Sequence, residues 1–448
     1  MPQHHHLHIH RRLRRRPAIA VIATAVAALC IGAVAPAVAA VPSGTAQNAS
    51  QCTWKSAGQA SFSTASAGAV PTGAVSADTE AVRKAMREAI AGLPDADTAT
   101  AAHVRLGGED GRWQTTSGVT DIRTRRAPTG DERFRAGSVT KAFTAAAVLQ
   151  LVHERKIDLD GTVQHYLPGL LPAAYPDVKV RHLLNYTSGL PSSDDDQSDF
   201  PEQLKGRYTT WDHRTMVQSG FHKPMEFTPG TCQHYSNIGY NVLGLLIEKV
   251  TGHSYEKEVR VRVINRAGLK DTYSPGNDPR IHGRHLRGYQ QDKGTLVDVT
   301  DWNQSVTWAS GDLVTTAPDL ERFTTALFNG RIVPRPELEL MFTVPKVPVY
   351  GDDTAEAKYS SGLSTDRLPD GTVVWGKTGG RFGYLSGFAA TRNLSRTIVY
   401  SVASTHAKGP EKKMDPTVVK IITAFAAKAD DKADTKADDR AEVAERRK

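Results

Sequence analysis

The hydrophobic pattern near one end of the chain predicts a helix followed by a β-hairpin. Apolar residues recur at every fourth position behind Asp78, and a glycine and a proline follow them: Val82, Met86, Ile90, Gly92 and Pro94. A capping residue, a helical period and a helix-breaking end together favour an amphipathic helix. Residues 103–106 and 113–116 then have the composition of short strands, and the turn GGEDG between them predicts the hairpin.

Strand and helix patterns return at the other end of the chain. Residues 385–391 and 397–403 are typical of strands. A final helix is predicted by a Pro-containing start and apolar residues at helical spacing: Asp415, Pro416, Val418, Ile421, Ile422 and Phe425. Strands at both ends, with helices beside them, predict one antiparallel sheet that is assembled from both ends of the chain.

The stretch between these ends, 161–345, consists mostly of helical patterns and long polar loops. It predicts a helical lobe inserted into a domain whose sheet comes from residues 78–160 and 346–428. The predicted fold class is therefore α+β, an antiparallel sheet flanked by helices with an inserted, mostly helical lobe.

Both flanks of this domain are predicted to lie outside the globular fold. Residues 1–40 combine five arginines, an apolar run and the small-residue sequence Ala-Val-Ala, which predicts a signal peptide and a secreted, extracytoplasmic protein. A membrane anchor is the alternative interpretation, because the apolar run approaches the length that spans a bilayer. Residues 41–77 predict a low-complexity linker, and residues 429–448 predict a charged, disordered tail.

The composition narrows the function mainly by exclusion. The chain has 448 residues, a formal charge of +8 and 23% charged residues, which is ordinary for a soluble protein. Five of the positive charges are arginines of the leader, so little net charge would remain after cleavage. No basic stripe interleaved with aromatic residues is visible, which argues against nucleic-acid binding. The histidines near the N-terminus belong to the leader, so no metal or other cofactor is predicted.

The three cysteines leave one question open. Cys30 lies in the predicted leader, which leaves Cys52 and Cys232 in the mature protein. An exported protein with two cysteines often pairs them. Two unpaired thiols are equally compatible with the count.

The stretch GTVVWGKTGG, residues 371–380, fits the spacing of a phosphate-binding loop. Such a loop needs a glycine-rich segment that leads directly into a helix. Here the β-branched and aromatic run TVVW precedes Lys377, and further glycines follow it, so a strand is favoured over a loop and helix. The sequence therefore predicts Lys-Thr-Gly on a strand, without nucleotide binding.

Ser138 and Lys141 stand immediately before AFTAAAVLQLV, an apolar run typical of a buried helix. A serine at the start of such a helix lies where free backbone N–H groups and the helix dipole favour developing negative charge. The lysine lies one turn further on the same face, and burial disfavours its charged form. The pair therefore predicts a nucleophile with an adjacent base. The same spacing at Ser254 and Lys257 leads into charged residues and predicts a surface pair.

A third motif is YSN at residues 235–237, between a Pro-Gly loop and a long apolar helix pattern. Residues two apart in an extended loop point the same way, so Tyr235 and Asn237 can face one cavity. Tyrosine can donate and accept a proton, and asparagine can orient a substrate amide. A buried tyrosine with a helix-capping asparagine is the alternative.

SVTK, YSN and KTG, in this order and on these elements, resemble the serine penicillin-recognising enzymes. The resemblance is strongest to the secreted D-alanyl-D-alanine carboxypeptidases and the class C β-lactamases, and it covers most of residues 80–425. It implies a β-sheet flanked by helices beside an all-helical lobe, with the active site between the two.

This resemblance also implies roles for the motif residues. Ser138 would be the acylated nucleophile, and Lys141 its neighbour in proton transfer. Tyr235 would pass protons to the leaving group, and Asn237 would hold the substrate's amide. Whether Lys141 or Tyr235 is the general base stays open at this point.

The remaining implied roles concern substrate binding. Lys377 and Thr378 would set the electrostatics of the tyrosine and meet a substrate carboxylate. The backbone N–H groups of the nucleophilic serine and of Gly380 would form the oxyanion hole. Arg381 is a further candidate for carboxylate binding and Trp308 for a pocket wall. A salt-bridged surface arginine and a core tryptophan are the alternatives.

The family resemblance implies a secreted serine acyl hydrolase, and a D-Ala-D-Ala carboxypeptidase acting on peptidoglycan stem peptides is favoured, with β-lactams as acylating ligands. The carboxypeptidases can carry His-Thr-Gly, whereas Lys-Thr-Gly is usual in class C β-lactamases and esterase relatives. A β-lactamase or an esterase is therefore the first alternative. A non-catalytic penicillin-binding or cell-wall-binding protein is the second. No cofactor, no nucleic acid and no stable membrane partner after leader cleavage are expected.

Overall fold

The structure of the protein is a computed structural model that describes residues 77–194, 199–408 and 414–427. The predicted signal peptide, the predicted charged tail and all of the predicted linker except residue 77 lie outside the described residues.

Six antiparallel strands form the central sheet. They are β1 (Ala99–Gly108), β2 (Trp113–Gly118), β9 (Ser364–Arg367), β10 (Val373–Arg381), β11 (Tyr384–Thr391) and β12 (Arg396–Ser404). Their order across the sheet is β2-β1-β12-β11-β10-β9. Because β1 pairs with β12, the sheet joins the two ends of the described chain, as the sequence pattern predicts.

Shorter strands form three separate pairs. These are β3 (Phe134–Arg135) with β6 (Val314–Thr315), β4 (Tyr289–Asp292) with β5 (Thr295–Asp298), and β7 (Pro348–Val349) with β8 (Asp352–Glu356).

The helices precede, interrupt and follow the sheet. They are α1 (Ala77–Ala89), α2 (Thr140–His153), α3 (Val163–Tyr166), α4 (Val180–Leu184), α5 (Phe200–Lys205), α6 (His213–Gln218), α7 (Ile238–Thr251), α8 (Tyr255–Val259), α9 (Trp308–Gly311), α10 (Ala317–Phe328), α11 (Arg335–Leu338) and α12 (Pro416–Ala426). A π-helical turn, Arg260–Ile264, continues α8. The fold is α+β, as the sequence predicts.

Helices α1 and α12 cover one face of the sheet. Met86 of α1 and Ile421 and Phe425 of α12 pack in one buried cluster with Val104 of β1 and Ile398 of β12. Burial of each such side chain stabilises the fold by about 1.5–3 kcal/mol relative to exposure. The two helices that the sequence predicts at opposite ends of the chain thus form one layer on the sheet.

Helices α2 and α10 pack on the opposite face. Phe143 of α2 stacks on Phe323 of α10 with 3.9 Å between the ring centres, and Phe323 meets Phe388 of β11 edge-on at 5.7 Å. Helix α2 is apolar on every side, and each of its residues from Thr140 to Leu151 is buried. It lies between the sheet and the helices of the 161–345 segment, which places Ser138 at the boundary of the two layers.

Most predicted elements are confirmed, and several are longer than predicted. The hairpin consists of β1 and β2, with Leu106 opposite Trp113. Asp415 caps α12 by accepting hydrogen bonds from the backbone N–H groups of Thr417 and Val418. Asp78 lies within the first turn of α1 instead of before it, a difference typical of helix ends.

Residues 371–380 also adopt the predicted strand. Strand β10 runs straight through Lys377 and Thr378 and is followed by a short turn into β11. No helix follows the lysine, so the arrangement of a phosphate-binding loop is not formed. Among the described helices, none is long and apolar enough to cross a bilayer.

Candidate active site

Ser138 lies in a single 3₁₀ turn, Gly137–Val139, that leads directly into α2. Its two neighbours in this turn are buried, whereas Ser138 itself is half-buried and accessible. Gly137 has a φ of +52°, and a side chain added there would place its Cβ 2.6 Å from the backbone nitrogen of Gly380. Glycine is therefore required for the turn to approach strand β10.

Lys141 is the fourth residue of the SVTK motif and is fully buried. Its Nζ lies 3.2 Å from Oγ of Ser138 and donates hydrogen bonds to Oδ1 of Asn237 and to the carbonyl oxygen of Ser310, each at 2.7 Å. These acceptors come from the turn before α7 and from α9, which are far apart in sequence. The amine is thus held by two oxygen atoms while it faces the serine hydroxyl.

Tyr235 lies between two lysines. The Nζ atoms of Lys141 and Lys377 are each 5.0 Å from the centre of the Tyr235 ring. The ring stacks on Tyr186 at 4.9 Å and lies 5.3 Å from the ring of Tyr359. The structure therefore brings the hydroxyl, the phenol and both amines of the three predicted motifs into one site.

Lys377 is buried in β10, opposite Phe388 of β11, and its Nζ donates a 3.0 Å hydrogen bond to the carbonyl oxygen of Thr378. Burial lowers the pKa of Lys377 to about 7, because the charged amine loses its hydration. No carboxylate of residues 77–194, 199–408 or 414–427 forms an ion pair with it. The site therefore holds a buried amine that an anionic group of a substrate can meet. Thr378, next to it, is half-buried.

The backbone of β10 approaches the nucleophile closely at two glycines. A Cβ added to Gly379 would lie 1.9 Å from the carbonyl oxygen of Ala136 and 2.9 Å from the backbone nitrogen of Ser138. With the proximity of Gly137 to the nitrogen of Gly380, this places the backbone nitrogens of Ser138 and Gly380 on adjoining segments. These are the two donors that the family resemblance implies for an oxyanion hole.

Trp308 does not occupy the predicted position at a pocket wall. Its side chain is fully buried in the helical segment, where Nε1 donates a 2.9 Å hydrogen bond to Glu256 and the ring stacks on His213 at 3.7 Å. The prediction failed because an aromatic residue near a motif gives no information on which way its ring points. The neighbouring α9 nevertheless contributes to the site through the carbonyl oxygen of Ser310.

Arg381 lies at the end of β10 and is buried. Its guanidinium carbon is 5.9 Å from the ring centres of Trp302 and of Phe382. It is therefore not a surface arginine, and its role in carboxylate binding stays a prediction. Cys232 is buried and disulfide-bonded, whereas Cys52 lies outside the described residues.

The second S-x-x-K sequence is a surface feature, as predicted. Ser254 caps α8 by accepting a hydrogen bond from the backbone N–H of Lys257, and both residues are exposed. The same spacing therefore has a structural role at one place and brings two reactive groups together at the other. The two sequences differ in burial, because Lys141 lies on the buried helix α2 whereas Lys257 lies on the exposed side of α8.

Several residues around the site carry no chemical signal in the sequence. Ser310 contributes only its backbone carbonyl, so its side-chain type carries no information. The aromatic neighbours of Tyr235, which are Tyr186 and Tyr359, come from distant loops.

Comparison with known proteins identifies the class. The family model "Beta-lactamase" matches residues 86–423, and the chain therefore belongs to this family of serine hydrolases, the serine penicillin-recognising enzymes. The mixed fold and the converging Ser138, Lys141, Tyr235 and Lys377 agree with that assignment.

Individual relatives are more distant. The chain is similar to penicillin-binding protein 4* of Bacillus subtilis (strain 168), with 25% identity over 307 residues, which are 63% of this chain and 63% of the relative. It is also similar to a putative D-alanyl-D-alanine carboxypeptidase of Salmonella paratyphi A, with 27% identity over 177 residues, which are 37% of this chain and 40% of that protein. The chain thus spans less than two thirds of the length of these curated relatives.

Solved structures give a longer match. A D-stereospecific amidohydrolase from Streptomyces sp. has a TM-score of 0.65 and 30% identity, covering 78% of this chain and 98% of its own. A D-amino acid amidase from Ochrobactrum anthropi SV3 has a TM-score of 0.64 and 25% identity, covering 79% and 99%.

Proposed function

We propose that the protein cleaves an amide bond next to a D-amino acid by acylation of Ser138, with peptides that end in D-Ala-D-Ala as the preferred substrates. The observation that carries this proposal is the 3.2 Å contact between Nζ of Lys141 and Oγ of Ser138. A buried amine beside an accessible hydroxyl is the arrangement that activates a serine nucleophile.

Acylation requires one proton to leave the serine and one to reach the leaving nitrogen. A neutral Lys141 donates its two hydrogens to Asn237 and to the carbonyl of Ser310, and its lone pair then points to the serine hydroxyl. As Oγ of Ser138 attacks the substrate carbonyl carbon, its proton passes to this amine. The backbone N–H groups of Ser138 and Gly380 stabilise the negative charge on the carbonyl oxygen.

The C–N bond then breaks, and the leaving nitrogen takes a proton from the hydroxyl of Tyr235, which regains one through the nearby lysines. A water molecule later hydrolyses the ester on Ser138 and returns the free serine. The position of the Tyr235 ring between Lys141 and Lys377 supports this assignment, because either amine can exchange protons with a phenol in its vicinity.

Lys377 supports the choice of a substrate with a free carboxylate. It is buried and has no carboxylate partner among the residues that the structure describes. A buried ammonium is costly unless it is paired, and the C-terminal carboxylate of a D-Ala-D-Ala peptide would supply that pair. We therefore favour a carboxypeptidase over an esterase that takes neutral substrates.

A D-amino acid amidase is the second candidate. The D-stereospecific amidohydrolase and the D-amino acid amidase are matched over 98% and 99% of their own lengths. Such a substrate has a neutral amide and a free amino group, so it would leave Lys377 without an anion. The two candidates therefore differ in what they place near this lysine.

A direct comparison of substrates tests the proposal. D-Alanine release from a peptide ending in D-Ala-D-Ala, hydrolysis of a D-amino acid amide and hydrolysis of a chromogenic cephalosporin are measured with the same preparation and with S138A. We expect the fastest turnover for the peptide, and loss of all turnover and of fluorescent-penicillin labelling in S138A. Faster turnover of the amide or the cephalosporin contradicts the carboxypeptidase, and no acylation by any substrate favours a binding protein.

Export is part of the proposal. The charged and apolar residues of 1–40 support a cleaved leader, and an extracytoplasmic location would bring the protein to peptidoglycan. Mass spectrometry of the N-terminus of the protein from the culture medium tests this. An uncleaved chain that sediments with membranes contradicts it.

A further inference from the structure

We propose that Gln233 is a positioning residue for Tyr235, which it serves by fixing the two aromatic rings that hold the phenol between Lys141 and Lys377. The role rests on the proposed function, because it concerns the rate at which Ser138 is acylated. Gln233 does not take part in the chemistry itself, since all of its hydrogen bonds go to backbone groups.

The side-chain amide of Gln233 is buried and fully used. Its nitrogen donates to the carbonyl oxygens of Asn185 at 2.9 Å and of Tyr359 at 2.8 Å. Its oxygen accepts from the backbone N–H groups of Lys358 at 2.9 Å and of Tyr359 at 3.0 Å. An amide has two donor hydrogens and an oxygen with two lone pairs, so every one of them is engaged.

The backbone of Gln233 is held as well. Its N–H donates to the carbonyl oxygen of Pro348 at 2.9 Å, and its carbonyl oxygen accepts from the N–H of Tyr350 at 3.0 Å. The residue therefore ties the strand-like segment before Tyr235 to three separate parts of the chain, at residues 185, 348–350 and 358–359. The backbone makes the link to residues 348–350, whereas the side chain joins residue 185 to residues 358–359 and so defines the spacing of these two segments.

Two of these contacts end next to the rings that surround Tyr235. Asn185 directly precedes Tyr186. Tyr359 is hydrogen-bonded to the Gln233 side chain through both its backbone N–H and its carbonyl oxygen. The three rings of Tyr186, Tyr235 and Tyr359 lie 4.9, 5.3 and 5.0 Å from one another. Gln233 thus controls the backbone positions from which both neighbours of the Tyr235 ring project.

The position of Tyr186 depends on such support. Its φ is +62°, a left-handed conformation that is uncommon for a bulky residue. Its carbonyl oxygen accepts a 2.9 Å hydrogen bond from the N–H of His234, which lies between Gln233 and Tyr235. The backbone that bears Tyr186 is therefore fastened to the 233–235 segment on both of its sides.

The consequence for catalysis is geometric. The Tyr235 ring is 5.0 Å from each of the two Nζ atoms, and proton transfer needs the phenol at hydrogen-bond distance from its partners. A displacement of about 1 Å of a catalytic group can lower a rate by about a hundredfold. Loss of the four hydrogen bonds of the Gln233 side-chain amide allows the rings of Tyr186 and Tyr359 to shift, and the phenol of Tyr235 shifts with them.

The test compares Gln233→Met with Gln150→Met in otherwise wild-type protein. Gln150 of α2 is also a buried glutamine. Its side-chain nitrogen donates a 2.9 Å hydrogen bond to the carbonyl oxygen of Arg262, and its side-chain oxygen accepts a 3.2 Å hydrogen bond from the guanidinium of Arg266. Neither hydrogen bond of the Gln150 amide goes to a residue that bears or adjoins the rings of Tyr186, Tyr235 and Tyr359. Turnover of the D-Ala-D-Ala peptide is divided by the number of active sites, which is measured as bound fluorescent penicillin after prolonged incubation.

We expect Q233M to lower kcat per titrated site by about a hundredfold, with KM changed by less than about threefold. Q150M should keep the wild-type kcat. Gln233→Asn keeps an amide but is one methylene shorter, so it can make only some of the four hydrogen bonds, and its kcat should lie between those of Q233M and the wild type. A purely structural role would reduce the number of titrated sites and the melting temperature without changing kcat per site.

A wild-type kcat per titrated site in Q233M overturns the positioning role, and so does an equal loss in Q233M and Q150M. Should Q233M not fold, Q233N decides by the same criterion. If the wild-type protein turns over none of the substrates, the proposed function is contradicted instead. This result is obtained before any variant is measured, so the two failures are distinguishable.

Discussion

The amine of Lys377 lies 5.0 Å from the centre of the Tyr235 ring. In the part of the chain that the structure describes, no carboxylate forms an ion pair with this amine. Two motifs more than a hundred residues apart in the sequence thus meet, and a half-buried phenol lies beside a buried amine. A lysine in this position is sensitive to pH and to the charge of whatever binds beside it.

Rates with carboxylate-bearing substrates should depend on the protonation of Lys377. Its pKa is lowered to about 7 by burial, so the cation is present below pH 7 and is lost as the pH rises through that value. We expect kcat/KM for a D-Ala-D-Ala peptide to fall above pH 7, while an ester without a carboxylate shows no such decline. Parallel pH profiles for the two substrates would contradict the role of Lys377.

Replacement of the same lysine should separate the two substrates further. K377M removes a hydrogen bond to a charged group, worth about 1.5–3 kcal/mol, which corresponds to about ten- to a hundredfold in kcat/KM for the peptide. The ester should lose less, and the difference between the substrates is the quantity to measure.

Lys141 and Lys257 provide a matched pair of variants, because both are the lysine of an S-x-x-K sequence. K141M removes the amine that faces Ser138, and we expect the rate of acylation by fluorescent penicillin to fall by about a hundredfold or more. K257M alters an exposed side chain of α8 and should leave the rate unchanged. Equal acylation rates in the two variants would exclude Lys141 as the base.

Two adjacent glycines of β10 should respond differently to alanine. In G379A the new Cβ would lie 1.9 Å from the carbonyl oxygen of Ala136, so the strand or the Ser138 turn must move and acylation should fall by about a hundredfold. In G380A the nearest atoms are the end of the Leu385 side chain at 3.3 Å and a carbonyl oxygen at 3.9 Å, which can adjust. Acylation rates and melting temperatures of both variants check this, and similar losses would contradict the close approach.

Acidification should destabilise the protein through His103. This residue of β1 is buried with Nε2 at 3.4 Å from Oε2 of Glu132, and burial lowers its pKa to about 4, although Glu132 and Asp131 oppose the shift. The unfolded chain binds this proton near pH 6.5. The contribution of His103 to the free energy of unfolding should therefore be constant above that pH and fall between pH 6.5 and 4, by at most about 1.4 kcal/mol per pH unit.

Urea unfolding at several pH values measures this dependence. His103→Gln should show a shallower fall than the wild type, whereas His165→Gln, which alters an exposed residue, should show the same fall. An unchanged slope in H103Q would assign the acid sensitivity to other groups.

Much of the fold was predictable from periodicity. The four-residue spacing of α1, the GGEDG turn between β1 and β2, and the capping Asp415 of α12 are local signals, and local hydrogen bonds and burial on one face decide such elements. The lengths of the strands were not predictable to the same degree, because strand ends depend on partners elsewhere in the chain. The pairing of β1 with β12 followed only from the expectation that exposed apolar strand faces need a common core.

The motif residues were predictable because each carries unusual chemistry in a revealing context, such as Lys141 in front of a wholly apolar helix. Trp308 was placed wrongly, because the direction of a side chain is set by its packing partners, here Glu256 and His213. Gln233 and the carbonyl of Ser310 gave no comparable signal, since their effect depends on backbone groups from distant segments.

The sequence by itself determined the candidate reactive residues and most of the helices and strands that carry them, since side-chain chemistry and hydrophobic period are local properties of the chain. Only the tertiary structure decided that the amines of Lys141 and Lys377 lie at equal distances from one phenol, and that Gln233 holds the rings around it. Such distances arise from long-range packing of segments whose spacing in the sequence bears no relation to their separation in space.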